Sequence, residues 1–577
     1  MTKGGQSVPH SRGGLSDKEH HMHVPHPRTR RRTATVLLSG LALAAGSAVV
    51  GPVATATTPA APQTASTAKP GKPKGSAVMK RVSKEKTVNH LFALESIARK
   101  HGSRASGTPG YTASRTYVVR KLKNYGYTPK VQAFDFPFFQ TTAPTVMERT
   151  APTPTAWADN EDFALMTFSG SGDVTAPVQG VDLNLGDLEN STSGCEAGDF
   201  TGFTAGNIAL VRRGTCDFMT KAANAEAAGA AGVVVMNQGT DGRTDAFGGT
   251  LGDTGVGVPV VGTSFAIGEE LNANGTELRL SASTVSETRT TYNVIARVKG
   301  RNTKNTVMSG AHLDGVIDGH GINDNGSGSA ALLESARVVS KQLKLNKKRK
   351  AKKPKNGLVF AWWGAEELGL LGAEHWVADE AENHAKRFRA LAAYLNFDMV
   401  GSTNYALMVY DGDNSTYGED DGAMVGPKGS GAIEKLFHSA FKKQGSKSDE
   451  TAFSGRSDYG PFIEYGVPAG GLFTGAEGVK TPKQANWFGG TAGEAYDPCY
   501  HATCDNLGNI SRKAVHLNTR SMVQVIWGLA KSTKPVNGHG NGHTPPAPQK
   551  STTARRGGDG SLAQGPLKAH DDHRAVR

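Results

Sequence analysis

Leu358-Val359-Phe360-Ala361-Trp362-Trp363-Gly364-Ala365-Glu366-Glu367 is the stretch on which this chain turns: six apolar residues in a row, two small ones, then two adjacent carboxylates. An uninterrupted apolar run of that length reads as a buried strand. Two further runs have the same form: 307–311 leads into His312-Leu313-Asp314, and 392–397 leads into Asp398-Met399. Open α/β sheets bind ligands outside the carboxyl ends of their strands, so His312, Glu366, Glu367 and Asp398 are expected to meet in one crevice.

Outward from these runs, strands at 292–298, 307–311, 358–363 and 392–397 alternate with helices near 329–343 and 370–379. This alternation predicts an α/β fold, a mainly parallel mixed sheet flanked by helices. Upstream, Leu91, Leu94, Ile97 and Ala98 recur at helical spacing, and a second helix from about Thr112 to Asn124 ends at Gly126. A strand at 131–139 then joins the same sheet across an intervening segment. That segment, 140–287, is rich in Gly and Thr, with short β-branched runs at 208–211 and 233–236 and an Ala-rich helix near 221–228. It is expected to be a separate β-rich module. It carries no titratable cluster suited to chemistry, so its expected work is to cover or gate a neighbouring cleft.

The chain has 577 residues, too many for one core. Arg30-Arg31-Arg32 precedes an apolar stretch at 36–50, and Ala54-Thr55-Ala56 supplies a cleavage site, so 1–56 reads as a secretory leader for the general or the twin-arginine route. Ser39, Gly40, Gly46 and Ser47 break the stretch and argue against a lasting membrane anchor. Residues 57–84 form a linker or propeptide, and 536–577 a Gly-, His- and Pro-rich disordered tail. An exported, extracellular protein keeps its cysteines oxidised, and spacing pairs Cys195 with Cys216 and Cys499 with Cys504. The short second loop is expected to fix the backbone around Tyr500 and His501. Part of the formal charge of +13 lies in the leader, and much lies in Lys341 to Lys355. With no aromatic residue in that run, it reads as a solvated loop and nucleic acid is excluded as a partner.

The remaining chemistry points to metal. Asp314, two residues beyond His312, lies on the same side of the strand and can orient its imidazole. Asp324, in the flexible loop 319–328, can offer its two oxygens to two cations. Glu366 and Glu367 divide the labour: one holds metal, while its neighbour takes a proton from water and passes it to a leaving amine. With Asp398 and His501 the set of two imidazoles and three ligating carboxylates suits two first-row divalent ions, zinc foremost.

The segments 310–314, 321–328, 361–370, 394–399 and 499–504 resemble, in order, those of the secreted Streptomyces-type aminopeptidases of the M28 zinc peptidase family, across about residues 85–535. Residues 207–218, 225–233 and 258–261 resemble a protease-associated (PA) domain. The resemblance implies a catalytic domain from 85–139 and 288–535 with a PA domain inserted at 140–287. It implies that His312 and Asp398 hold one Zn²⁺, Glu367 and His501 the other, and that Asp324 bridges them. Glu366 would be the general base, Tyr500 would stabilise the oxyanion, and Asp324 and Asn325 would be joined by a cis peptide. Arg456 would offer its backbone carbonyl to the substrate amine, and Phe473 would line the side-chain pocket. The implied activity is release of N-terminal Leu, Phe or Met from peptides with a free N-terminus by a monomer, with calcium as a further cofactor. A glutamate-releasing carboxypeptidase of the same family is the enzymatic alternative and would need an arginine cluster. A metal-free receptor-like protein is the other, and the retained ligand positions argue against it.

Overall fold

Trp362 and Trp363 are completely buried, in a strand, Asn356–Trp363, whose eight residues all lie inside. The computed structural model describes residues 76–418 and 422–543. The expected leader, residues 57–75 of the linker and residues beyond 543 lie outside the described residues. Asn302–His312 runs parallel to the Trp strand, with His312 opposite Trp363. Leu391–Phe397 and Ala469–Phe473 continue the parallel set. Met408–Tyr410 and Glu277–Val298 flank the set as antiparallel neighbours. The sheet is thus mixed but parallel at its centre, as the alternation of elements predicts.

Parallel neighbours require crossover helices, which cover both faces. Gly328–Lys348 links the His312 strand to the Trp strand and is buried from Gly328 to Ser340. Leu371–Asn383 covers the opposite face, where the Trp363 ring packs 5.7 Å from Trp376 and 6.0 Å from Phe462. The first of these helices runs past the expected end at 343. Part of the run Lys341 to Lys355, read as loop, is helical to Lys348 because lysine is a good helix former and cations favour a helix C-terminus.

Two strands of 22 residues each, Lys130–Ala151 and Glu277–Val298, pair antiparallel from Lys130 opposite Ile295 to Ala151 opposite Glu277. They carry the sheet onward into Gly172–Gly180, Ile208–Arg212, Gly232–Met236 and Val260–Thr263. The ladder passes 139/140 and 287/288 unbroken, Phe139 pairing with Ser286 and Gln140 with Val285. The composition shift at 140 marks where the ladder becomes exposed, at residues 141–144, rather than a break in the backbone.

Both disulfides form as spacing suggested, Cys195–Cys216 and Cys499–Cys504. Order reaches beyond the expected start of the tail at 536. Gly542 N–H donates to Asn305 Oδ1 at 2.7 Å, and His543 is buried at 3.0 Å from the Leu391 carbonyl. No helix among the described residues is long and apolar enough to cross a membrane.

His90 is buried between two phenols, with Nδ1 2.7 Å from Tyr117 Oη and Nε2 3.1 Å from Tyr125 Oη. Burial, and then the charge of Lys121, push its imidazole down to about 3. The unfolded chain therefore binds a proton near pH 6.5 that the folded chain refuses, so stability falls as the medium is acidified. The expected loss from this one group is about 2 kcal/mol between pH 6.5 and 5. Urea unfolding of wild type and His90→Gln over that range should show a shallower acid dependence in the variant.

Candidate metal centre

His312 ends its strand, Asp398 directly follows Phe397, and Glu366 and Glu367 lie just past Trp363, so three parallel strands deliver four side chains to one edge. The Asp324 loop precedes the helix that begins at Gly328, and the disulfide-closed hairpin 499–504 brings His501 from the far end of the chain. Non-glycine residues with positive φ gather here: Ala365 at 55°, Leu370 at 65°, Met399 at 40° and His501 at 53°. Such conformations are uncommon and turn the chain sharply at the points where these side chains must be aimed.

Asp324 is the hinge of the arrangement. Its Oδ1 lies 3.2 Å from His312 Nε2 and its Oδ2 3.2 Å from His501 Nε2, so one carboxylate faces two imidazoles on opposite sides. His312 Nε2 is also 3.2 Å from Asp398 Oδ1 and 3.7 Å from Glu366 Oε2. His501 Nε2 is 3.0 Å from Glu367 Oε2. The donor atoms of His312, Asp324 and Glu367, and those of His312, Glu366 and Asp398, lie close enough together to hold a metal ion, the two groups sharing His312. The structure thus brings together all five expected ligands and the expected base. The Asp324–Asn325 peptide is cis, as the resemblance implied.

The electrostatics describe a site crowded with negative charge. Burial opposes the charge of the His312 imidazole, but the Glu366 and Asp398 carboxylates outweigh it and hold the group well above its usual range. Burial is likewise overcome at His501, which hydrogen bonds to Asp324 and Glu367 carry up to about 10. Burial works against ionised Asp324 too, yet hydrogen bonds from the two histidines hold its carboxyl below the usual range. Glu367 is pushed up to about 7 by burial and by the charge of Asp324. Glu366 is raised well above a normal glutamate, first by burial. Buried orphan atoms complete the picture: Glu367 Oε1 and His312 Nδ1 have no hydrogen-bond partner. Carboxylate oxygens and imidazole nitrogens crowded in this way fit zinc or a similar divalent ion, which binds both donor types.

The supporting residues were mostly invisible in sequence. Ser457 Oγ donates to Asp398 Oδ2 at 2.5 Å and accepts from Asn396 Nδ2 at 2.8 Å. Asn396 in turn accepts from Tyr394 Oη, which accepts from Trp363 Nε1, so a chain of bonds runs from the sheet core to Asp398. Asp505, next to Cys504, accepts from the backbone N–H of Asn323 at 2.8 Å and of Asp324 at 3.0 Å. The position after a paired cysteine was the only hint of it.

One expected role needs adjustment. Asp314 Oδ1 stands 3.8 Å from His312 Nδ1, beyond hydrogen-bond length, and accepts instead from the Glu366 N–H at 3.4 Å. It buttresses the Glu366 turn rather than gripping the imidazole. Arg456 places its guanidinium 2.9 Å from Glu477 Oε1 and beside the Tyr500 hydroxyl. Tyr500 stacks on His501 with ring centroids 3.9 Å apart. Phe473 is half-buried one residue beyond Leu472, whose carbonyl accepts from the Asp398 N–H.

A sheet-edge cluster of imidazoles and carboxylates with this geometry defines a metal-dependent hydrolase. Residues 293–526 match peptidase family M28, and residues 174–271 match the PA domain. An aminopeptidase of Pseudomonas aeruginosa is 46% identical over 454 residues, covering 78% of this chain and 81% of that protein. Leucine aminopeptidase 2 of Trichophyton rubrum is 45% identical over 349 residues, 59% of this chain and 66% of the fungal one. The solved structure of BSAP, a zinc aminopeptidase from Bacillus subtilis, superposes with a TM-score of 0.50 at 25% identity, over 78% of this chain and 96% of its own. This chain belongs to peptidase family M28, on the aminopeptidase branch where these relatives lie, and is a zinc-peptidase-type hydrolase with an inserted PA domain.

Ser457→Ala should loosen Asp398 without touching a ligand. Supporting hydrogen bonds of this kind are worth about 10- to 100-fold in metal affinity, and competition with a chromogenic chelator should show a loss in that range.

Proposed function

We propose that this chain is an exported, monomeric aminopeptidase that holds two zinc ions and releases large apolar residues from peptides with a free N-terminus. The observation that carries the proposal is the two-sided placement of Asp324 between His312 and His501. His312 and Asp398 would hold one ion, Glu367 and His501 the other, with Asp324 shared. When bound, such ions polarise a carbonyl and make water acidic enough to attack it near neutral pH.

The rest is the work of this chain's own groups. Glu366, 3.7 Å from His312 Nε2, is in neither of these two ligand sets, and its raised proton affinity suits it to take a proton from the attacking water and deliver it to the leaving amine. Burial, and then the charge of Asp324, keep the Tyr500 phenol protonated, so it can donate a hydrogen bond to the oxygen on which charge develops. Glu366 and Asp398 present negative charge to an unblocked ammonium. Phe473, stacked on Tyr410 with centroids 6.3 Å apart, and the exposed Leu368 offer an apolar surface for the departing side chain. The leucine aminopeptidase relative supports this preference.

The carboxypeptidase alternative would need cationic groups free to take a terminal carboxylate, and Arg456 is committed to Glu477. Calcium is not part of the proposal. In the acidic group Asp411, Asp413 and Glu434, Asp411 accepts from the N–H groups of Ser415 and Thr416, and Asp413 pairs with Lys435. Export rests on the leader-like start of the sequence and on the two disulfides. The PA domain is assigned the role of covering the cleft.

Purified protein should contain two zinc equivalents and hydrolyse Leu-p-nitroanilide but not its N-acetylated form. Glu366→Gln should keep the zinc while kcat falls by about 10²–10⁴-fold. Turnover of only an N-acetylated acidic dipeptide would move the assignment to the carboxypeptidase, and absence of both zinc and activity after zinc addition would overturn it.

A further inference from the structure

The loop between His312 and the helix starting at Gly328 is glycine-rich, and metal ligation by Asp324 does not account for its glycines. What fills it is Arg104, which reaches in from the segment between the helices Lys84–His101 and Pro109–Tyr125. The side chain is completely buried. Its Nε donates to the His320 carbonyl at 2.9 Å, Nη1 to the Leu313 carbonyl and Nη2 to the Gly321 carbonyl. A Cβ added at Gly321, Gly326 or Gly315 would lie 3.0, 3.6 or 3.7 Å from Nη2. The loop therefore closes around the guanidinium, most tightly at Gly321, where an added Cβ would crowd Nη2, whereas at Gly326 and Gly315 it would sit in ordinary contact with that atom.

We propose that Arg104 is a positioning residue for the metal centre, a buried clamp that ties the strand end bearing His312 to the loop bearing Asp324 and so sets the separation of these two side chains. The inference rests on the dinuclear reading above. Leu313 is the residue after His312, and Gly321 stands three residues before Asp324, so each anchored carbonyl lies close in the chain to one of the groups being spaced. Three acceptors in different directions match the planar fork of arginine, whereas a lysine ammonium on its flexible stem cannot engage all three in the same geometry. Burial pulls the guanidinium below its usual range, and the charges of Asp505, Asp314, Asp324 and Glu367 oppose that shift. A fixed cation behind the carboxylates offsets their mutual repulsion while leaving the ligand atoms free. The acceptors of Arg104 are backbone carbonyls, so it acts on the ligands through the backbone it holds and through its charge.

The test uses the full exported chain with Arg104→Lys and Arg104→Met, compared with wild type in three measurements. These are zinc affinity by competition with a chromogenic chelator, far-ultraviolet circular dichroism of the zinc-loaded and chelated forms, and kcat and KM on Leu-p-nitroanilide at saturating zinc. Both variants are expected to keep the wild-type spectrum, to bind zinc about 10- to 100-fold more weakly and to lose kcat with KM nearly unchanged. Added guanidinium ion should restore part of the zinc affinity to Arg104→Gly, which opens a cavity of the matching shape. Wild-type zinc affinity in both variants would overturn the inference. If Arg104→Met loses its fold, Arg104→Lys decides: a folded Lys variant with wild-type affinity overturns the clamp, and one with weakened affinity supports it. A wild-type protein that binds no zinc would instead sink the metal-centre reading itself, which keeps the two failures distinct.

Discussion

Four carboxylates, Asp324, Glu366, Glu367 and Asp398, are packed against two imidazoles at one edge of a buried sheet, and the cost of that concentrated charge shapes what surrounds it. Buried like charges close together repel strongly and resist desolvation, so such a cluster persists only where cations, hydrogen bonds and fixed backbone offset it. The histidines supply part of the compensation. Arg104 supplies a permanent cation behind the site, and the N–H groups of Asn323 and Asp324 are taken by a further carboxylate, Asp505. The divalent ions assigned to the site would supply the remainder, since their ligands must lose their protons to bind.

Rigidity follows from the same constraint. Asp398 is fixed through Ser457, Asn396 and Tyr394 to Trp363, a residue deep between the sheet and its covering helix. His501 has a side chain 35% exposed and sits in a hairpin closed by Cys499–Cys504, so it faces the open side of the crevice while the disulfide holds its backbone. The sheet core thus anchors one half of the centre, and a covalent loop the other.

The PA domain is joined to the catalytic sheet by paired strands of 22 residues rather than by a flexible connection. A ladder of backbone hydrogen bonds resists bending far more than a linker does. The module therefore belongs to the same continuous sheet as the catalytic residues, and any covering of the cleft would have to come from its fixed placement or from twisting of the ladder.

The sequence alone determined the class of fold and most of the centre, because both are written in short-range patterns. An apolar run ending in a carboxylate or imidazole encodes a buried strand and a ligand at its tip together, as at His312, Glu366 and Asp398. Cysteine spacing likewise encoded both disulfides. Tertiary structure alone decided what holds these groups in place. Arg104, Ser457, Asp505 and Glu477 reach their partners through the fold rather than through any local pattern, Arg104 across more than two hundred residues. The same holds for the unbroken ladder at 139/140, where composition changed because strands emerged into solvent, and for Asp314, whose distance from His312 depends on how the Glu366 turn packs. Side-chain chemistry is local to a residue, whereas the hydrogen bonds and charges that position it are set by which distant segments the fold makes neighbours.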